Sequence, residues 1–310
     1  MPAYVFDANS GKIYTCQITA GAVPAASACV AATGFGGYGG YIAASSSYLF
    51  VPTHTNVRSC PLTANLPPSA GGCTTQAYTG GDSGVALAGA YGYVLGHYSL
   101  YSCPLTAGGA LPPSSGCTST STGGFHSGLS AVAAAPAYAY PTDDGTSDVL
   151  SCPIGAGGVV SATCSSTSGF SAVTTTAATA TAVFVPDGQV VRSCPTTAGV
   201  MPSTTSGCTS MTGAFEGGKR KGGIKTGGPD GPNRRPSFPL LPPTLPSSPL
   251  GFSSSSGVAV NAAGTYLYAT DAGTGNVYSC AIGSGGSLPA TVAGCSVGTG
   301  FGGAVSIAVP

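Results

Sequence analysis

The residues of this chain best suited to do chemistry are its cysteines, and their spacing favours disulfide bonds over metal binding. The twelve cysteines fall into six pairs whose members lie 12 to 15 residues apart: Cys16 and Cys29, Cys60 and Cys73, Cys103 and Cys117, Cys152 and Cys164, Cys194 and Cys208, and Cys280 and Cys295. Structural zinc sites use closely spaced cysteine knuckles or added histidines, which these pairs lack. We predict one disulfide per pair, no metal site and an oxidising compartment.

A second group of residues with chemical potential follows strand-like segments at roughly equivalent positions. This group is Asp7, His54, His97, Asp143, Asp187 and Asp271. If these segments end on one face, the six side chains form a polar ring that binds a ligand, and Asp143, Asp144 and Asp148 add oxygen ligands for a hard cation. The alternative is that each aspartate only initiates a turn through its side chain.

Catalysis is not indicated by the remaining reactive residues. The chain has three histidines, His54, His97 and His126, and its single glutamate, Glu216, lies in an atypical segment described below. No Ser/His/Asp or Cys/His constellation emerges, and every cysteine belongs to a pair. We therefore expect no catalytic residue and no cofactor.

The elements that position these residues are repeats. Successive first cysteines lie 44, 43, 49, 42 and 86 residues apart, and a period in the low forties accommodates one four-stranded propeller blade. Short runs of Val, Thr, Ile, Tyr and Phe between Gly- and Pro-rich turns indicate strands, although Gly numbers 50 and Pro 25. The fold class predicted is all-β.

The two ends of the chain predict how the ring closes. The N-terminus begins at a second strand, Ala3–Asp7, whereas the C-terminus stops after a first strand, Ala304 to Val309. We predict a single β-propeller of six four-stranded blades, each of about 43 residues, closed by pairing the two terminal strands. An aromatic residue closes most repeats and is expected to fill the space between blades. These residues are Phe35, Tyr78, Phe125, Phe170, Phe215 and Phe301.

The interval of 86 residues is one repeat plus an insert. We divide the chain into a propeller, 1–215 plus 252–310, and a disordered basic and Pro-rich insert, 216–251, which holds six of the nine basic residues. Pro236 to Pro249 uses only Pro, Ser, Phe, Leu and Thr, whose codons are largely pyrimidine, as in the tract before a splice acceptor. The insert is therefore interpreted as a translated retained intron, with a genuine loop or a polyanion-binding arm as alternatives.

The repeat of residues 257–282 resembles the YVTN-type β-propeller repeat, whose relatives include lactonase-like propellers. The segment that carries the resemblance is Val258 to Asp271, VAVNAAGTYLYATD. The resemblance implies a propeller over nearly the whole chain outside 216–250. It also implies lactone hydrolysis as one activity to test, although such propellers commonly have seven blades and few cysteines.

The function predicted is that of a secreted, disulfide-stapled structural or interaction module of an extracellular assembly such as a cell wall, matrix or surface filament. Charged residues make up only 6% of the chain, which suits a building block. Alternatives are a carbohydrate- or peptide-binding propeller using the Asp/His turns, and a lactonase-like hydrolase. Expected partners are glycans on exposed Ser and Thr near Pro, and other copies through Ala304 to Val309. We expect no nucleic acid, no membrane span and an extracellular or cell-surface location, with the signal peptide not present in this chain.

Overall fold

The repeats form six antiparallel four-stranded sheets in a computed structural model of the chain. The structure describes residues 1–36, 40–53, 55–63, 68–78, 84–96, 99–121, 129–143, 145–212 and 255–310. The sheets are the blades of a six-bladed β-propeller, so the predicted fold class and blade number are confirmed. In each blade the strands run in order from the central axis to the rim, and we call them the first to the fourth strand.

The first three blades are built from the N-terminal part of the chain and one C-terminal strand. Their strands are, in blade 1, β1 (Pro2–Asp7), β2 (Lys12–Gln17) and β3 (Val30–Ala32); in blade 2, β4 (Ala43–Ala44), β5 (Tyr48–Pro52), β6 (Asn56–Pro61) and β7 (Thr74–Ala77); in blade 3, β8 (Val85–Ala88), β9 (Tyr91–Leu95), β10 (Leu100–Pro104) and β11 (Thr118–Thr120).

The other three blades follow in chain order. Their strands are, in blade 4, β12 (Leu129–Ala135), β13 (Tyr138–Asp143), β14 (Asp148–Pro153) and β15 (Ser165–Thr167); in blade 5, β16 (Ala177–Ala178), β17 (Ala182–Asp187), β18 (Val190–Pro195) and β19 (Thr209–Thr212); in blade 6, β20 (Ser255–Val260), β21 (Tyr266–Asp271), β22 (Asn276–Ala281) and β23 (Ser296–Gly298). The last strand, β24 (Ala304–Ala308), is the first strand of blade 1.

Blade 1 closes the ring because it combines both ends of the chain. Strand β24 pairs antiparallel with β1, with Tyr4 opposite Ala308 and Val5 opposite Ile307. Val5 and Ile307 are both buried, so the pairing is supported by apolar packing as well as backbone hydrogen bonds. The predicted closure by terminal strands is confirmed.

Second strands are largely apolar and almost completely buried because neighbouring blades cover both of their faces. In β17 the sequence AVFVPD is buried at all six positions, a pattern expected for a strand with no solvent-facing side. The third residue of the second strand is a buried aromatic in every blade: Tyr4, Phe50, Tyr93, Tyr140, Phe184 and Tyr268. These rings form the main packing between blades.

A hairpin between the third and fourth strands carries one disulfide in each blade. The bonds join Cys16 to Cys29, Cys60 to Cys73, Cys103 to Cys117, Cys152 to Cys164, Cys194 to Cys208, and Cys280 to Cys295, as predicted. The hairpins contain short 3-10 helices: Ala26–Ala28, Ala70–Gly72, Ser114–Gly116, Ala156–Gly158, Thr205–Gly207, Ser284–Gly286 and Val292–Gly294. The first cysteine of every pair is fully buried, so each staple is anchored in the sheet.

Four of the predicted closing aromatics lie in the described residues, and all four are buried: Phe35, Tyr78, Phe170 and Phe301. The other two, Phe125 and Phe215, lie outside them, as does the predicted insert, 216–251. Within the described ranges, no helix is long and apolar enough to cross a membrane.

Candidate functional site

The turn between the second and third strands holds the aspartates that the sequence marked as ligand-binding candidates. Asp7, Asp143, Asp187 and Asp271 each end a second strand, and each is at most 3% exposed. The structure therefore places these four at equivalent positions in blades 1, 4, 5 and 6. Their carboxylates are buried in the turns and do not project from the face.

Three of the four carboxylates accept hydrogen bonds from the backbone of their own turn. Asp7 Oδ1 accepts from the Asn9 amide at 3.0 Å, and Asp143 Oδ1 accepts from the Gly145 amide at 3.0 Å. Asp271 Oδ1 accepts from the Gly273 amide at 3.1 Å. These bonds are typical of aspartates that initiate turns, which was the alternative to ligand binding.

Asp7 has a further role at the joint between the last blade and the closing strand. Its Oδ1 atom also accepts from the amide of Gly303, at 3.0 Å, just before β24 begins. Ser10 Oγ donates to Asp7 Oδ2 at 2.6 Å. Because both oxygens are occupied, Asp7 stabilises the closing joint and presents no free oxygen to a ligand.

Asp187 is the most heavily bonded of the four. Its Oδ1 accepts from the amides of Ser171 and Ala172, at 2.6 and 3.0 Å, and from the Ser171 hydroxyl. Arg192 Nε lies 2.6 Å from Oδ2 and forms an ion pair. Burial alone would raise the pKa of Asp187, but these hydrogen bonds outweigh it and lower the pKa below its usual value. The carboxylate is ionised and fully used inside the protein.

His54 and His97 lie outside the described residues, so their contribution to a ligand face stays a prediction. Counted along the second strand from the aromatics Phe50 and Tyr93, the aspartate position of blades 2 and 3 is held by Thr53 and Gly96. Thr53 Oγ1 accepts from the Asn56 amide at 3.1 Å and so substitutes for the aspartate. The two histidines follow one residue later in the sequence.

The described turn residues do not assemble a metal site. Asp148 Oδ2 accepts from Ser166 Oγ at 2.8 Å, and Asp144 lies outside the described residues. Across the described ranges, no three His, Cys, Asp or Glu side chains lie close enough together to hold a metal ion.

The axial channel is narrow and lined by the first strands of all six blades. A cavity of about 160 Å³ is bordered by segments such as Ile42–Ala44, Val85–Leu87, Thr175–Ala178 and Ser306–Val309. A second hollow, of about 500 Å³, lies at the loops between first and second strands of blades 4 to 6, on the face opposite the aspartate turns. The described lining of both hollows is Ala, Val, Leu, Ile, Gly, Pro, Thr, Ser, Asn and Tyr, with no acid or base.

The structure reveals a contact between blades that the sequence analysis missed. The residue before the first cysteine is Ser59, Ser102, Ser151, Ser193 or Ser279 in blades 2 to 6, and each is buried. Each of these serines bonds the hairpin backbone of the next blade: Ser59, Ser102, Ser151 and Ser279 accept from the amides of Leu111, Val160, Met201 and Val23, and Ser193 donates to the Gly286 carbonyl. A recurrent Ser-Cys dipeptide was the available signal.

Tyrosines of the second strand complete the same contact. Tyr93 donates to the carbonyl of Gly158 at 3.1 Å, and Tyr140 donates to the carbonyl of Gly199 at 2.8 Å, both in the hairpin of the next blade. Burial, and then the neighbouring Tyr91 or Tyr138, raises the pKa of Tyr93 and Tyr140 to about 12, so both hydroxyls remain protonated donors at neutral pH. The disulfide-bonded hairpins of blades 3 to 6 and of blade 1 are therefore each hydrogen-bonded to the preceding blade, and we call this set of serine and tyrosine bonds the clasp.

Comparisons with known proteins show the propeller fold and no more. Neither the family models nor the curated proteins compared with the sequence gave a match. Among solved structures, a propeller from a nidogen/laminin complex is 10% identical and has a TM-score of 0.58, with 99% of this chain and 97% of that chain covered. A Bacteroides fragilis protein provisionally named a 6-phosphogluconolactonase is 12% identical, with a TM-score of 0.56 and coverage of 93% and 80%.

A third structure, from a Bacteroides uniformis protein with the same provisional name, is also 12% identical. It has a TM-score of 0.54 and covers 93% of this chain and 80% of that chain. At these identities the resemblance to lactonase-like propellers is confirmed at the level of fold. Membership of the YVTN-type group stays a prediction.

Proposed function

We propose that this chain is a secreted, disulfide-stapled propeller that serves as a structural or interaction module of an extracellular assembly. One observation carries the proposal: the described groups that could do chemistry are used to hold the fold. All twelve cysteines are in disulfides, and the four described turn aspartates are buried. A fold whose described reactive groups are bonded internally suits a protein that must resist mechanical stress and chemical attack.

The disulfides support the extracellular location. Six bonds in one chain persist in oxidising compartments, whereas cytosolic reductants keep thiols reduced. Each closes a hairpin of 12 to 15 residues, and on the loop-entropy model each stabilises the folded chain by about 2–3 kcal/mol.

The outer strands support a role in contact with other molecules. One of the structures of similar fold comes from a complex of nidogen with laminin, so the fold is compatible with protein–protein contact. Here most fourth strands carry Ser or Thr, whereas β3 reads Val-Ala-Ala and its Val30 is 52% exposed. Val297, on the outer strand of the neighbouring blade 6, is 37% exposed.

We place the contact on these two outer edges and take the partner to be a second copy of the chain. An edge strand with short apolar side chains is self-complementary, since two copies pair antiparallel about a two-fold axis. The formal net charge of zero leaves little repulsion between copies. Strand β24 is already paired inside its own blade, so self-association through Ala304 to Val309 requires the ring to open.

The first test is a peptide mass map of the natural protein without reduction, combined with light scattering of the intact sample. Six crosslinks within repeats and a mass above that of the monomer are expected. Val30→Lys should then restore the monomer, while Thr75→Lys, on the exposed outer strand of blade 2, should leave the assembly intact. Free thiols, or a strictly monomeric protein, would contradict the proposal.

The same map tests the predicted domain division. Under the retained-intron hypothesis, no peptide from 216–251 is found in the natural protein. Recovery of those peptides would instead show that the insert is translated and retained, in favour of a loop or a polyanion-binding arm.

Lactone hydrolysis is the competing function, and the fold shared with proteins provisionally named 6-phosphogluconolactonases is what favours it. The uncharged described lining of the channel argues against it, because that chemistry needs acid and base groups over the axis. The purified protein should not turn over simple lactones. If it does, His54→Ala and His97→Ala will show whether the predicted histidines act.

Carbohydrate or peptide binding by the turn face is the remaining alternative. A glycan or peptide array tests it, with Asp143, Asp187 and Asp271 changed to Ala. Because these carboxylates are buried and internally bonded, we expect the substitutions to lower stability and not to remove a binding signal.

A further inference from the structure

The disulfide-bonded hairpins differ in whether they contain serine close to proline. Their contacts with the preceding blade do not explain this difference. The hairpin of blade 3 contains Pro112-Pro113-Ser114-Ser115, and that of blade 5 contains Pro202-Ser203-Thr204-Thr205-Ser206. The hairpin of blade 4 has no such sequence, although it carries the exposed Thr163. We infer that Ser115 and Ser203 are acceptor sites for O-linked glycosylation.

The hydroxyls of Ser115 and Ser203 are available to a transferase. Both residues are exposed, and neither hydroxyl makes a hydrogen bond within the described part of the chain. By contrast, the Thr204 and Ser206 hydroxyls lie 2.7 Å apart and bond each other, and the Ser161 hydroxyl accepts from the Thr163 amide. An unbonded hydroxyl keeps both its proton and its lone pairs for reaction.

The backbone is extended beside Ser203 and just before the Ser115 site, while Ser115 itself lies in the short 3-10 helix Ser114–Gly116. Pro113 has φ −56° and ψ 154°, and Thr204, next to Ser203, has φ −140° and ψ 160°. Proline fixes an extended, solvated backbone, which explains why Ser/Thr-rich segments with proline are typical carriers of O-glycans.

The sites are held in place by contacts that do not use the hydroxyls. The Ser203 carbonyl accepts from the Ser168 amide at 3.1 Å, and the Met201 amide donates to buried Ser151 at 3.2 Å. A sugar on Oγ would therefore point outward from a fixed backbone at the rim. Glycans there would hydrate the uncharged outer surface without disturbing the contacts between blades.

The reaction needs an activated glycosyl phosphate as donor, either a sugar nucleotide or a lipid-linked sugar phosphate. The serine Oγ attacks the anomeric carbon and forms the C–O glycosidic bond, while the bond from that carbon to the phosphate oxygen breaks. The phosphate leaves with the electron pair, and the hydroxyl proton passes to a base of the transferase.

This inference rests on the proposed passage through a secretory compartment, and one experiment separates the two. The natural protein is reduced, alkylated, digested with chymotrypsin and analysed by electron-transfer fragmentation, in parallel with a non-reduced sample. Hexose or N-acetylhexosamine increments are expected on Ser115 and Ser203. Thr163, whose hairpin contains no proline, and Ser206, whose hydroxyl is bonded, are the internal controls and should be modified at least tenfold less.

Each result bears on a different claim. Bare hairpins with six intact disulfides would overturn the glycosylation sites and leave secretion standing, whereas free thiols and bare hairpins would overturn both. Equal occupancy at Thr163 would show that a nearby proline does not select the site, and equal occupancy at Ser206 would show that an unbonded hydroxyl does not. The Ser115→Ala and Ser203→Ala variants, secreted from a eukaryotic host, should each lose one glycan while keeping the same melting temperature.

Discussion

Blade 4 meets blade 5, and blade 6 meets blade 1, through a third-strand serine and a second-strand tyrosine that lie against the hairpin of the next blade. Both hydroxyls bond that hairpin in the first contact, and only the serine does so in the second. At the first, Ser151 accepts from the Met201 amide and Tyr140 donates to the Gly199 carbonyl. At the second, Ser279 accepts from the Val23 amide, but the buried hydroxyl of Tyr268 has no hydrogen-bond partner among the described residues.

The difference shows where the closing contact obtains its strength. The last blade continues directly into β24, which pairs with β1, so the ends of the chain interlock inside blade 1. The tyrosine hydrogen bond that joins blade 3 to blade 4 and blade 4 to blade 5 is not made by Tyr268, at the point where this strand pairing takes over. We therefore expect the closing contact to be stabilised mainly by the pairing of β24 with β1. The contact between blades 4 and 5 should instead be stabilised mainly by the serine and tyrosine hydrogen bonds to the hairpin.

The most damaging change should be Ile307→Asp in the closing strand. It places a carboxylate without a partner at a 3% exposed position opposite Val5, and we expect a loss of about 3–5 kcal/mol in the free energy of unfolding. Urea unfolding measures it. Val297→Asp, on the exposed outer strand of blade 6, is the matched control, and equal losses in the two variants would show that β24 does not hold the ring.

Removal of one disulfide should have the next largest effect. We expect Cys194→Ser with Cys208→Ser to cost about 2–4 kcal/mol, and Cys16→Ser with Cys29→Ser to cost less. The two loops span 14 and 13 residues, so their chain entropies are nearly equal, and an excess loss at Cys194–Cys208 measures the hairpin hydrogen bonds between blades 4 and 5. Denaturation without reductant provides both values; a larger loss in blade 1 would contradict the comparison.

Asp187→Asn should lower the stability of blade 5, and the size of the loss should depend on pH. At neutral pH we expect a loss of about 1–3 kcal/mol, because Arg192 and the Ser171 amide lose an ionised acceptor. The pKa of Asp187 is lowered in the folded protein, so its stabilisation is present above the unfolded pKa of about 3.9 and disappears as pH falls through the folded value. Melting curves of wild type and variant should therefore converge in acid.

Two tyrosine substitutions should have the smallest effect on the free energy of unfolding, yet they distinguish the contact between blades 4 and 5 from that between blades 6 and 1 most sharply. Tyr140→Phe removes a hydroxyl that donates at 2.8 Å and should cost about 0.5–1.5 kcal/mol. Tyr268→Phe removes a buried hydroxyl that no group in the described part of the chain bonds, and it should be neutral or slightly stabilising. Thermal unfolding of the two variants measures the pair, and an equal loss in both would mean that Tyr268 is bonded in solution.

The fold was predictable because its signals lie within single repeats. The cysteine pairs, the turn aspartates and the strand order at the two termini can each be read without knowing what the neighbouring blade contributes. For this reason the closure through Ala304 to Val309 and the pairing of all twelve cysteines were predicted correctly. The proposed ligand face depended on exposure, and burial of Asp143 and Asp271 is a property of the packed turn.

The hydrogen bonds between a hairpin and the preceding blade were not predictable, because on the hairpin side their donors and acceptors are backbone atoms. The carbonyls of Gly158, Gly199 and Gly286 and the amide of Leu111 carry no residue-type signal that matches the Ser or Tyr of another repeat. Thr53 and Gly96 occupy the aspartate position just before His54 and His97, and the contribution of the two histidines to a ligand face stays a prediction.

The clasp also has a direction, since the hairpin of each later blade bonds the blade before it in every contact described here. Blades 2 to 6 thus each carry a buried Ser that bonds the hairpin backbone of the next blade, whereas blade 1 has Thr15 at this position and its buried hydroxyl has no partner among the described residues. Because the hairpins bond through backbone atoms, these contacts do not require a particular neighbouring repeat, and the molecule is a head-to-tail polymer of blades closed on itself. Gain or loss of one such repeat in evolution would leave the contacts intact, so the number of blades is limited by the wedge angle between them and not by recognition between particular repeats.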